Sequence, residues 1–178
     1  MVILILKLTF ILKINNMFKY RKATQKDLEW IWNINIKENP DDERWVKWKE
    51  KYIRYNKEKK AVTFVIVYGT LPVGEGTLLL SPECDAVKGM DCLANGKDIA
   101  NINALRIQKF YEGNGHISKL IRLMEKYATK SGISVLTIGV EAKEARTWAI
   151  YQHLGYKEFI MSKIEDGEHV LYYQKRIK

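Results

Sequence analysis

The stretch 110-FYEGNGHISKLIRLMEKYATKSG-132 constrains this chain more than any other. Gly113 and Gly115 make a permissive turn. From Ile117 onward apolar residues recur at helical spacing, so Ile117, Leu120, Ile121, Met124, Tyr127 and Ala128 share one face. Gly132 stops the helix. A helix with a single apolar stripe must lie on an apolar surface, and its start leaves backbone N–H groups without helical partners, where an anion can sit.

Two nucleotide readings of this turn fail. GNGHIS approaches GxGxxG, but Ser118 stands where the third glycine belongs. That signature also sits in the first βα unit of its fold, whereas four strand-like segments precede this turn. No Gly-Lys-Ser/Thr follows, so the P-loop pattern is absent as well.

The remaining periodicities give an order of elements. Residues 18–23 read as a strand, and Thr24 N-caps a helix through Leu28, Ile31, Trp32 and Asn35. NPDDE (39–43) breaks that helix and caps a second, along which Trp45, Trp48, Tyr52 and Tyr55 recur every three or four residues. This aromatic stripe is either core or, in part, the wall of an acceptor pocket. Residues 61–69 and 72–81 form a hairpin. Residues 82–98 read as a polar, irregular loop, 99–108 and 134–142 as strands, and 144–154 as a short helix closed by Gly155. Two last strands turn over at EDGE (165–168). The order β-α-α-β-β-β-α-β-α-β-β predicts an α+β domain, a central, mixed, mostly antiparallel sheet flanked by helices.

At 178 residues the chain suits one domain. Residues 1–16 are apolar but interrupted by Lys7 and Lys13, with no span-length apolar run and no signal-peptide cleavage site. Met17 then opens the first strand, so the domain is expected over 17–178. Residues 1–16 would be an appended strand, a membrane-surface segment or, as favoured, an unused upstream start. The formal net charge of +9 is spread through every segment and reads as a solvated surface rather than a nucleic-acid patch, while also suiting a polyanionic ligand. Cys84 and Cys92, without a CxxC or a histidine cluster, suggest neither a metal site nor a disulfide framework, and a cytoplasmic protein is expected.

Three segments in order carry a family likeness: 105-LRIQKFYEGNGHISKLI-121, 134-SVLTIGVEA-142 and 150-IYQHLGYKEF-159. Together they resemble the acetyl-CoA-binding half of the GNAT acyltransferase superfamily, most strongly from 99 to 160, with matching element order over 18–178. The resemblance implies a GNAT-like acyl-CoA N-acyltransferase fold and acetyl transfer from acetyl-CoA to an amine, without a metal. It implies that loop amides over Glu112, Gly113, Asn114, Gly115, His116, Ile117 and Ser118 hold the CoA pyrophosphate. Glu112 stands where the family has Arg or Gln, Ile117 where it has a second small residue, and Glu144 where many members have Asn. In the family the fourth and fifth strands splay, and the pantetheine arm lies between them. Backbone groups of Leu105 and Ile107 match the pairing positions, with Arg106 between them.

Tyr151 matches the family's general acid. Glu75 or Glu141 is the candidate general base, each also readable as a solvated or salt-bridged strand carboxylate. Asn101 and Asn103 can orient an acceptor or a water. His116 reads as a first-turn residue that helps the anion. The acceptor, a small-molecule or peptide amine, stays open, and a homodimer through the last strands is compatible with the pattern. No nucleic-acid or membrane partner is expected. A catalytically idle CoA-binding regulatory domain is the alternative, prompted by Glu112, Ile117 and Glu144.

Overall fold

The computed structural model describes residues 17–178; the leader assigned to residues 1–16 lies outside the described residues. The elements are β1 Phe18–Lys22, α1 Gln25–Glu38, α2 Arg44–Lys57, β2 Ala61–Tyr68, β3 Leu71–Leu79, β4 Ile99–Ile107, α3 His116–Lys130, β5 Val135–Glu141, α4 Ala145–His153, β6 Glu158–Glu165 and β7 Glu168–Arg176. Their order is the one the periodicities predict.

Local chemistry fixes the ends. Thr24 and Asp27 form a reciprocal capping box at the start of α1: Asp27 N–H donates to Thr24 Oγ1 at 3.3 Å, and Thr24 N–H donates to Asp27 Oδ2 at 2.7 Å. Arg21 from β1 adds two hydrogen bonds to the same carboxylate, at 2.5 and 3.0 Å. Between β6 and β7, Asp166 and Gly167 both hold positive φ (50° and 86°), the requirement of a two-residue hairpin turn that matches strand twist.

The seven strands form one sheet in the order β1-β2-β3-β4-β5-β7-β6. β4 and β5 run parallel, and the other neighbouring pairs are antiparallel. α3 and α4 cover one face, where Leu120, Ile121, Met124, Tyr151 and Leu154 meet Phe64, Ile66, Leu78, Ile102 and Ile138. α1 and α2 cover the other, with Ile31, Trp32, Tyr52 and Tyr55 in its core. β2, in the middle of this sandwich, is buried on both sides through seven of its eight residues, which explains its continuous apolar run.

Residues 82–98 depart from the picture of a polar loop. They lack regular structure apart from a 3₁₀ turn at Asp85–Val87, yet Cys84, Val87, Leu93 and Ala94 are fully buried in the second core. Leu93 O accepts a hydrogen bond from Thr137 Oγ1 of β5 at 2.8 Å. The segment is a packed wall of that layer.

Candidate active site

A defect in the sheet organises the site. β4 and β5 pair only from Ile99↔Val135 to Ile102↔Ile138. Beyond that, β4 pairs with β3 alone and β5 with β7 alone. The cause is a bulge: Ala104 takes φ 49°, and the β3–β4 register slips between Glu75 and Thr77. An extra residue on one strand bends and twists it, here away from β5. Past the bulge, Gln108 N–H bonds back to Val73 O at 2.8 Å. Alternation along the strand therefore turns Arg106 toward β3 and leaves the backbone groups of Leu105 and Ile107 on the open edge.

The open edge leads to the start of α3. Gly113 (φ 78°) and Gly115 (φ 71°) are both left-handed, and Gly115 is the N-cap. The first helical bond runs from Lys119 N–H to Gly115 O at 3.1 Å, so the amides of His116, Ile117 and Ser118 have no helical acceptor. Successive left-handed and helical residues make such amides converge, and the helix dipole adds to their pull on an anion. A cavity of about 660 Å³ joins the two parts, walled by Leu105, Arg106, Ile107, Glu112, Gly113, Gly115, His116, Ile117, Ser118, Glu144 and Tyr151. Tyr111, Arg146, Thr147 and Ile150 also line it and escaped the sequence reading.

Tyr151 on α4 is 6% exposed and makes no side-chain hydrogen bond with a described residue. Burial raises its phenol above the ordinary value, so it stays protonated through the neutral range. His116 takes a different part from the one its position suggests. Its imidazole is buried, lies 2.6 Å from Tyr20 Oη through Nδ1, and stacks on Phe18 at 4.1 Å between centroids. Burial, then Lys119, lowers its pKa, so near neutral pH the ring carries no charge for an anion and the amide is what His116 offers. Asn114 does not line the cavity; its side chain ties the loop by donating to Glu112 O at 3.0 Å. Glu112 is exposed. Glu144 is the N-cap residue of α4 without a side-chain cap bond.

The two candidate bases part company. Glu141 lines neither of the cavities described here; its carboxylate is 43% exposed and pairs with Lys143 at 3.2 Å. Glu75 likewise lines neither cavity; it is fully buried on β3 against Arg106, which lines both. Its Oε1 accepts from Asn35 Nδ2 at 2.9 Å and lies 2.8 Å from Arg106 Nε, a charge contact without a directed hydrogen bond, while Oε2 has no partner. Burial raises its pKa, and Arg106 and Asn35 only partly oppose this.

On the α1–α2 face, a second cavity of about 430 Å³ is walled by Trp32, Trp48, Tyr52, Tyr55, Asn103, Arg106 and residues of the 82–98 segment and the β6–β7 hairpin. The aromatic stripe is thus both core and wall: Tyr52 and Tyr55 are buried yet reach this cavity, and Trp48 lines it. Tyr52 Oη donates to Asn103 Oδ1 at 2.5 Å, and Asn101 Nδ2 donates to Thr137 Oγ1 at 2.9 Å. Asn101 is therefore a buried strut, while Asn103 touches the cavity. Arg106 lines both cavities and so lies between them.

An open strand edge running into a cradle of amides suits an elongated ligand with an anionic end. The sequence pattern of the acetyltransferase (GNAT) family matches residues 24–156, and the chain belongs to that family. Among solved structures it is similar to a GNAT-family protein from Desulfovibrio desulfuricans, at 9% identity over 90% of this chain and 99% of that one, TM-score 0.69. It is also similar to the Salmonella typhimurium yncA protein, solved with its cofactor acetyl-CoA, at 13% identity over 91% and 95%, TM-score 0.67. A third is the dodecameric spermidine N-acetyltransferase of Vibrio cholerae, at 16% identity over 91% and 95%, TM-score 0.66. No curated protein matches in sequence. Among the described residues no helix is long and apolar enough to cross a membrane, and no cluster of His, Cys, Asp and Glu could hold a metal ion.

Proposed function

We propose that this protein transfers an acetyl group from acetyl-CoA to an amine. The observation that carries the reading is the open edge of β4 beyond Ile102, running into the free amides at the start of α3 with the Tyr151 phenol in the same cavity. The acetyl-CoA held by the similar Salmonella structure supports it. Backbone groups of Leu105 and Ile107 would pair with the amide-bearing arm. The amides of residues 113–118, with Arg146 lining the same cavity, would take the phosphates. Acetyl-CoA supplies the activated acetyl thioester.

The chain's own residues then manage protons. The Tyr151 phenol, kept protonated by burial, gives its proton to the departing thiolate. Glu75, with its raised pKa and unpartnered Oε2, lies behind the cavity wall against Arg106 and would take the amine proton only through a relay of water past that side chain. Glu141, solvated and paired, has no such position.

The test is release of free CoA thiol from acetyl-CoA with a panel of amines, alongside Tyr151→Phe. Acceptor-dependent release that collapses in the variant supports transfer. CoA binding without release for any amine supports the idle CoA-binding domain instead.

A further inference from the structure

The charges around the second cavity are nearly all matched. Asp85 pairs with Lys51 at 2.6 Å, Glu165 with Lys163 at 2.9 Å, and Asp166 with Arg44 at 3.1 Å. Arg106 is paired too, with Glu75 at 2.8 Å, but through Nε alone. Its Nε faces the buried Glu75 carboxyl, and its guanidinium lies 4.6 Å from the Trp32 ring centre and 4.8 Å from that of Trp45. The group is pinned by these contacts, yet its terminal nitrogens form no hydrogen bond with a described residue, and its side chain is 26% exposed. A fixed planar guanidinium with its outer N–H groups uncommitted has the shape that receives a carboxylate through two parallel hydrogen bonds.

Position adds to shape. Arg106 borders both cavities, so an acceptor anchored there would hold its amine on the side of the thioester arm. Trp48 and Tyr52 offer aromatic surface on the same cavity. A polyamine would bring further positive charge against Arg106 and find the lining carboxylates already paired. We propose that the acceptor is a zwitterion, an amino acid or amino-acid-like compound with an apolar side chain, its carboxylate on the Arg106 fork and its side chain against Trp48 and Tyr52. This identification of the substrate class rests on the acetyl-transfer reading. In the reaction the zwitterion's ammonium first releases one proton to solvent, the freed amine nitrogen forms the new C–N bond, the thioester C–S bond breaks, and the second N–H proton lost is matched by the one gained by the released thiol.

The experiment compares kcat/KM by thiol release, at fixed acetyl-CoA, for L-phenylalanine, L-phenylalaninamide and phenethylamine, and for L-leucine, L-leucinamide and isopentylamine, with spermidine as a cationic control. The carboxylate members should exceed their counterparts that lack the carboxylate on the order of 100-fold, mainly through KM, the scale of a hydrogen-bonded charged contact. In Arg106→Lys, which keeps the charge over Glu75 but loses the fork, the gap should shrink to about 10-fold or less. Amides, simple amines or spermidine used by the wild-type protein as well as the amino acids would overturn this inference and leave acetyl transfer standing. Acetylation of none of these compounds, or of any other amine, would overturn both. The wild-type comparison decides even if Arg106→Lys fails to fold.

Discussion

Gly115 caps α3 and lines the larger of the two cavities, with φ 71°. Apart from its chain neighbours, a Cβ there would meet no atom of the described residues within 4 Å, so packing adds no clash. What remains is the cost of placing an L-residue in the left-handed region, about 1–2 kcal/mol for Ala and more for a β-branched residue. For a chain of this size that lowers Tm by roughly 2–8 °C in Gly115→Ala. The binding effect is separate: a side chain at 115 either stands over the amides or makes the turn relax and re-aim them. CoA affinity measured by calorimetry should fall roughly 10-fold for Ala and 100-fold for Val. Gly69, in the β2–β3 turn at φ 62° and equally unobstructed, is the matched control. Gly69→Ala should lose similar stability and keep CoA affinity. Wild-type affinity in Gly115→Val would refute the amide cradle.

Asp27 is held at a pKa of about 2: burial pushes the carboxyl up, but hydrogen bonds from Arg21 and Thr24 more than reverse it. A depressed pKa means the contribution is present above about pH 4 and disappears as pH falls toward 2. The full difference corresponds to roughly 2.5 kcal/mol. Because the Arg21 side chain is 41% exposed, we expect about 1–2 kcal/mol lost in Asp27→Asn at pH 7, shrinking below pH 4 in urea melts. Tyr151→Phe should leave acetyl-CoA affinity unchanged and cut kcat roughly 10²–10⁴-fold for every acceptor. Loss should be smaller with an acyl donor whose thiol is more acidic. Wild-type turnover with chemistry rate-limiting would return Tyr151 to a packing role. Glu75→Gln should lower kcat by about 10²-fold and flatten the acid side of the rate profile, since the wild-type base is lost as pH falls through a pKa raised above the carboxylate range. An unchanged profile would exclude it as the base.

Periodicity and turn chemistry carried much of the fold. The stripe from Ile117 to Ala128, the Thr24 cap and the Asp-Gly turn at 166–167 each act within a few residues, where sequence speaks directly. What creates the cleft does not act locally. The left-handed Ala104 sits where the β3–β4 register slips, and alanine gives no sign of it. The burial of Glu75 depends on Asn35 and Arg106, 40 and 31 positions away, so its separation from Glu141 could not be read from two strand glutamates. Residues 82–98 looked polar because their four buried side chains follow no period. Arg146 and Thr147 reach the cavity because α4 starts beside the open edge, and a basic residue in a helix's first turn is a signal that could have been weighed.

Backbone amide NMR during titration with acetyl-CoA tests the central claim most directly. Saturable shifts should concentrate at residues 113–118 and at Leu105 and Ile107, with the Thr24–Asp27 cap unaffected. Saturation with the largest shifts around Trp48, Lys51 and Lys163 instead, or no saturation at all, would contradict it.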